Sequence, residues 1–412
     1  NETGTLASTI AMSGGTLDSD ESSTVSGALS HTADIEIDVA TGKTLTYSGT
    51  AISLGANTIT LSGGGSLVSG GLTLNDADSK LLLNSITLDS VSTSSDSLGL
   101  DVDNNSTITS LSVGHITPVS IAAGKSLSGA VTVTAGSLKL NETGTLASTI
   151  AMSGGTLDSD ESSTVSGALS HTADIEIDVA TSKTLTYSGA AISLGANTIT
   201  LSGGGSLVSG GLTLNDADSK LLLNSITLDS ASTSADSLGL DVDNNSTITS
   251  LSVGHITPVS IAAGKSLSGA IGVTAGSLKL NETGTLASTI AMSGGTLDAD
   301  ETSIVSGTLT QSGDIAIDIA TGKTLTYSGA AISLGAKTMT LSGGGSLVSG
   351  GLALNNADSK LLLNSITLDS VSTSADSLGL DVDNNSTITA LSVGHITPIS
   401  IASNMTLSGA IT

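Results

Sequence analysis

The sequence predicts an all-β fold, a parallel β-helix (β-solenoid) with about 20 residues per rung and seven rungs in each 140-residue super-repeat. Three observations predict it: a long internal repeat, period-2 alternation of apolar residues without a competing helical period, and punctuation by Gly, Ser, Asn and Asp. The string NETGTLASTIAMSGGTLD begins at Asn1, Asn141 and Asn281. Copy one (1–140) and copy two (141–280) differ at six positions: Gly42/Ser182, Thr50/Ala190, Val91/Ala231, Ser95/Ala235, Val131/Ile271 and Thr132/Gly272. Copy three (281–412) drifts further, mostly conservatively. Copies this similar share one structure, so the three read as one continuous solenoid.

A shorter rhythm runs inside each copy. Taking Leu17, Ile35, Ile59, Leu81, Leu98, Val119 and Leu138 as the first buried residue of each rung, with Leu157 opening the next copy, the spacings are 18, 24, 22, 17, 21, 19 and 19 residues. Alternation such as Val131, Val133 or Leu138, Leu140 marks the strands. Antiparallel hairpins at this pitch call for Asn-Gly or Asp-Gly turns, and the chain has neither. Parallel strands stacked rung on rung, with alternate side chains entering a narrow core, fit instead. Leu6, Leu17, Val25, Leu67, Leu81, Leu98, Leu127 and Leu138 are the predicted inward residues. Gly63-Gly64-Gly65 provides positive φ where faces meet, and Pro118, Pro258 and Pro398 read as standing just before a strand, where a missing N–H is tolerated. At about 4.8 Å per rung, one copy advances roughly 34 Å, which predicts a rod.

Composition narrows the function. The 412 residues include 37 Asp plus Glu against 11 basic residues, all Lys, for a net charge of −26. Nucleic-acid binding needs clustered Lys and Arg, and single-strand binding needs aromatic platforms as well. With no Arg, Phe or Trp and only three Tyr, no nucleic-acid partner is expected. The 38% hydrophobic content against 12% charged argues for a packed chain over an acidic disordered one. No stretch approaches eighteen apolar residues, so no membrane span is expected, and the opening Asn1-Glu2-Thr3 is not a signal peptide. The chain reads as a segment of something longer. Absence of Cys removes disulfides and thiol chemistry.

Candidate chemistry is sparse, and no catalytic, cofactor-binding or metal site is assigned; the chain is read as not an enzyme. His31 and His115 recur beside abundant Ser, but no G-x-S-x-G elbow supports a triad, and His171 becomes Gln311 in copy three. Gly124-Lys125-Ser126 imitates the end of a phosphate loop, yet Val119 stands where its first Gly belongs. Acidic turns at Asp18-Ser19-Asp20-Glu21, Asp76-Ala77-Asp78 and Asp101-Val102-Asp103-Asn104-Asn105 could ligate Ca²⁺ through oxygen, but Ser106 and Ser112 occupy the Gly and Glu positions of an EF-hand loop. Solvated carboxylates that keep chains apart are the preferred reading. Leu100-Asp101-Val102 matches a minimal integrin-binding tripeptide, but strand alternation directs Leu100 inward. Asn1, Asn104 and Asn105 begin Asn-x-Ser/Thr sequences. A Thr-lined ice-binding face would need Thr in register on successive rungs, and Thr-x-Thr occurs only sporadically, as at Thr44-Leu45-Thr46 and Thr132-Val133-Thr134.

The stretch Val131-Thr132-Val133-Thr134-Ala135-Gly136-Ser137-Leu138-Lys139-Leu140-Asn141, followed by Gly144-Thr145-Leu146, resembles the passenger-associated repeats of bacterial autotransporters. The 20-residue beat is similar to that of filamentous-haemagglutinin-type adhesins. The resemblance implies a parallel β-helix exported to the extracellular space or bacterial cell surface, acting as adhesin, stalk or fibre. Two functions are carried forward. The first is a structural segment of a long secreted or surface fibre, working by length and stiffness. The second is an adhesin module that recognises glycan or protein through a solenoid face, with a host or neighbouring-cell surface receptor as the implied partner; its only sugar-stacking rings would be Tyr47, Tyr187 and Tyr327. Since neither end carries a polar cap, end-to-end self-association is expected, with net charge resisting lateral contact.

Overall fold

The computed structural model describes residues 3–412. The chain is all β, a parallel β-solenoid of about 20 turns with about 20 residues per turn, and no helix occurs among the described residues. Strands run from two residues, as in Thr5–Leu6, to eight, as in Ser106–Val113. Two compact units divide the chain, Asn1–Ile192 with Ile199–Gly210, and Ser193–Thr198 with Gly211–Thr412. Each is described by itself.

In the first unit, one parallel ladder carries Ile59 opposite Leu81, Leu81 opposite Leu100, and Leu100 opposite Val119. It includes the pairing of Leu138 with Leu157 and of Leu157 with Ile177. A second ladder carries Leu45, Leu67, Leu88 and Ile108 in successive turns, and beside them Val91, Leu111, Val131 and Ile150. The second unit repeats this arrangement, with Leu221, Leu240 and Val259 in one ladder and Leu228 with Ile248, and Ala231 with Leu251 and Ile271, in the other. Like side chains therefore stack on like. Each buried Leu, Ile or Val contributes roughly 1.5–3 kcal/mol of apolar burial.

Of the predicted inward residues, Leu67, Leu81, Leu127 and Leu138 are at most 1% exposed and Val25 is 4% exposed. Leu98 is a correction: it is 54% exposed, and Leu100 takes the core position. The cause is Gly99 between them, at φ +82°, where the chain turns a corner and alternation cannot be extended backward. A Cβ at Gly99 would meet the Pro118 carbonyl oxygen at 1.9 Å. Leu6, 46% exposed, and Leu17, half-buried, are corrected for a different reason. Each has a ladder partner on one side only, Val25 and Ile37 respectively, whereas their counterparts Leu146 and Leu157 have partners on both sides and are buried. Leu17 also pairs with Ile37 rather than Ile35, because the preceding corner takes up two more residues than the spacing suggested. Pro118 and Pro258 lie inside the strands Thr117–Ile121 and Ile256–Ile261 instead of ahead of them, whereas Pro398 stands just before Ile399–Ile401. Proline gives up one ladder N–H in either place, and its carbonyl still accepts, as that of Pro398 does from the Leu380 N–H at 2.9 Å.

Corner glycines are of two kinds. Gly63 combines φ +98° with a position where a Cβ would fall 2.0 Å from Asp38 Oδ1 and 2.3 Å from the Val39 carbonyl oxygen. Gly42, at φ +74°, has no atom within 4 Å of its Cβ position, and copy two places Ser182 there at φ +64°. Gly42→Ser is accordingly expected to cost at most about 1 kcal/mol, while Gly63→Ala costs about 1–3 kcal/mol or more, through strain plus a backbone clash. Thermal melting of the two variants side by side checks the distinction, and equal melting points would contradict it.

Candidate functional site

A strand that begins just past a corner has N–H groups that the previous turn's ladder does not always reach, and an unpaired buried donor is costly. Side chains one turn away fill these positions. Asp34 Oδ1 accepts the Thr58 N–H at 2.8 Å, Asn75 Oδ1 accepts the Gly55 N–H at 2.9 Å, and Asp96 Oδ1 accepts the Ile116 N–H at 3.0 Å. Asn105 Oδ1 accepts the Ser126 N–H at 2.9 Å. Asp89 takes the Ser69 and Gly70 N–H groups at 3.0 and 2.8 Å, holding the corner of the turn before it. Ser79, fully buried, donates to the Gly55 carbonyl at 2.6 Å and accepts from the Asp76 N–H at 3.1 Å. Sequence reading took these residues only as turn formers or solvated charges. The missed signal was their recurrence about one turn from a corner N–H at the start or end of a neighbouring strand.

The acidic turns weighed as cation ligands are engaged separately. Glu21 pairs with Lys43, Asp101 with Lys80 at 3.0 Å, and Asp76 Oδ1 accepts the Asp78 N–H at 3.0 Å. Asp103 is exposed, and Asp18 stands in register with Asp38. Among the described residues no group of three or more His, Asp or Glu is placed to hold a metal ion. Charge is also segregated. The ladder that includes Ile35–Val39, Lys80–Asn84, Gly99–Asn104 and Ser137–Leu140 carries Lys and carboxylates. The other ladder exposes mainly Ser, Thr and Ala, with cross-turn hydroxyl pairs such as Thr107 Oγ1 to Ser128 Oγ at 2.7 Å.

Where copy one meets copy two, Lys139 Nζ lies 3.0 Å from Asp158 and 3.1 Å from Asp160. The hydrogen bond to Asp158 holds the Lys139 ammonium above its ordinary value, against the effect of burial. Burial pushes the Asp158 carboxyl up, against the Lys139 hydrogen bond, with Asp160 and Asp178 adding repulsion. Asp158 is the more buried of the two, so the lysine mainly offsets a burial cost and adds little net stability.

The remaining candidates are structural. His115 is exposed at a corner, with Nδ1 3.8 Å from Asp96 Oδ1. Gly124, at φ +72°, leads into the strand Ser126–Val133 and not a helix, so no phosphate cradle forms around Lys125. Leu100 and Val102 are buried on either side of Asp101. Asn104 Nδ2 donates to Asn84 Oδ1 at 2.7 Å, and Asn1 lies outside the described residues. Tyr47, Tyr187 and Tyr327 are only 5–6% exposed and offer no ring face for a sugar. Each hydroxyl instead accepts a backbone N–H at 3.0 Å, from Leu29, Leu169 and Leu309 respectively.

Two expectations follow from these bonds. Tyr47→Phe leaves the Leu29 N–H unaccepted and lowers stability by about 1–2 kcal/mol, measurable by denaturant unfolding; an unchanged midpoint would show the bond to be idle. Lys139→Met lowers stability on the order of 1–2 kcal/mol near neutral pH, whereas Asp158→Asn stays within about 1 kcal/mol of the parent. A carboxyl raised in the folded state binds its proton more tightly than in the unfolded chain, so stability associated with Asp158 rises as pH falls through its range. Melting curves should therefore show the Lys139→Met deficit shrinking toward about pH 4.

Comparison with protein-family models, with curated proteins and with solved structures finds no match.

Proposed function

We propose that this chain is a structural segment of a long secreted or cell-surface fibre or stalk that acts by length and stiffness, each 140-residue copy adding seven turns. The observation that carries the reading is where the polar side chains go. Asp34, Asn75, Asp89, Asp96, Asn105 and the tyrosine hydroxyls join one turn to the next, at equivalent positions in successive copies, as Asp96, Asp236 and Asp376 do for Ile116, Ile256 and Ile396. A protein selected for a particular ligand would gather such groups at one place. Here they are distributed evenly. The adhesin alternative loses its aromatic contact residues to the core.

End-to-end self-association belongs to the same proposal. The acidic surface resists side-by-side contact, so any multimers seen in sedimentation are expected to be linear.

Interchangeable copies are the test. Deleting residues 141–280 joins Leu140 to Asn281 and regenerates the native junction LKLNETG. The expected result is an unchanged melting midpoint, since stability is nearly additive in turns, and a maximum dimension in solution scattering shorter by roughly 34 Å. Loss of a specific binding activity on deleting this copy, with retention when residues 1–140 are deleted, would place a site in copy two and overturn the proposal.

A further inference from the structure

The second ladder is interrupted at one place in each copy where the turns are longest. Leu29–His31 pairs with Ile10–Met12 on one side, and Ile52–Ser53 pairs with Leu72–Leu74 on the other. Among the described residues no backbone pairing joins Leu29–His31 to Ile52–Ser53. The last backbone bond before the gap runs from the Ser48 N–H to the Val25 carbonyl at 2.9 Å. Side chains cross the gap instead. Tyr47 folds over Gly49, and its hydroxyl accepts the Leu29 N–H at 3.0 Å. His31 Nε2 lies 3.0 Å from the Ser53 carbonyl oxygen, and Nδ1 lies 3.3 Å from the Ala33 carbonyl oxygen.

Both contacts of the imidazole are with carbonyl oxygens, which only accept. A neutral imidazole has one N–H and one lone pair, so it serves one carbonyl and turns a lone pair toward the other. The imidazolium donates to both. We propose that His31 is a protonation-dependent clip across this gap, closing the joint between consecutive turns when charged and slackening it when neutral. Copy two retains the residue, and His171 Nδ1 is 3.2 Å from the Ala173 carbonyl oxygen. Copy three holds a permanent version. There Tyr327 keeps its bond to the Leu309 N–H, and Gln311 Nε2 donates to the Leu334 carbonyl at 2.8 Å, a bond indifferent to pH.

The surroundings isolate the imidazole. Ile10–Met12 and Ile52–Ser53, the strands flanking it, contain no titratable residue. The carboxyl on its own turn is Asp34, which accepts the Thr58 N–H at 2.8 Å. Asp314 does the same for Thr338 at 2.8 Å in copy three, so aspartate titration enters both joints alike.

Hydrogen exchange on the full chain, corrected for intrinsic rates, tests the clip by comparing segments 29–34 and 309–314 in the same molecule. Between about pH 5.5 and 7.5, the interval in which imidazoles titrate, protection of the first segment relative to the second should fall about two- to tenfold, the worth of one hydrogen bond. In His31→Gln, which installs the side chain already present at position 311, the ratio should stay constant. A pH-independent ratio in the parent chain would overturn the proposal, and so would a pH-dependent ratio that survives in His31→Gln. Because the parent chain contains both joints, the measurement decides even if the variant folds poorly.

Discussion

The parallel backbone ladder between a residue and its counterpart about one turn later is the interaction on which everything else in this protein depends. Alternation buries Leu81, Leu100 and Val119 only because the ladder fixes their register. It also sets the terms for side chains at the corners, where backbone donors emerge without a backbone acceptor. Asp, Asn, Ser and Tyr meet that need at separations close to one turn, as Ser106 Oγ does for the Ile86 N–H, so polar residues in this chain are an extension of the ladder and not an independent layer of chemistry.

Much of the fold was legible because its signals are local and repeated. Period-2 alternation and the lack of hairpin turns were sufficient for parallel strands, and Leu67, Leu127 and Leu138 are where the pattern put them. What was not legible is how the chain turns corners. Leu98 and Leu100 are equally apolar and two residues apart, and only the positive φ of Gly99 decides which enters the core. Burial of Leu6 and Leu17 depends on the number of stacked neighbours, a property of position in the stack that no sequence window contains.

The polar residues were legible as residues but not in their roles. Asp96 and His115 both read in sequence as polar groups on a turn, yet Asp96 accepts a backbone N–H while His115 stays exposed beside it. The tyrosines were legible only as the few rings that a sugar could stack on, one per copy, and they are buried fittings that complete a broken ladder. The exchange of His171 for Gln311 was visible from the outset as a difference between copies. Its place in the structure was not: His31 Nε2 faces the Ser53 carbonyl oxygen, and Gln311 donates to the Leu334 carbonyl across the corresponding gap.

The pairing of Leu138 with Leu157 raises a question of choice during folding. Leu297, one copy further on, sits in the same local sequence and would receive Leu138 equally well. Side-chain complementarity therefore cannot discriminate the correct neighbour from its near-identical copy. Chain connectivity does: closing the loop to Leu297 costs about 2 kcal/mol more than closing the single turn to Leu157. A chain that winds outward from an existing turn always finds the near partner first, so sequential winding is what keeps three nearly identical copies from exchanging strands.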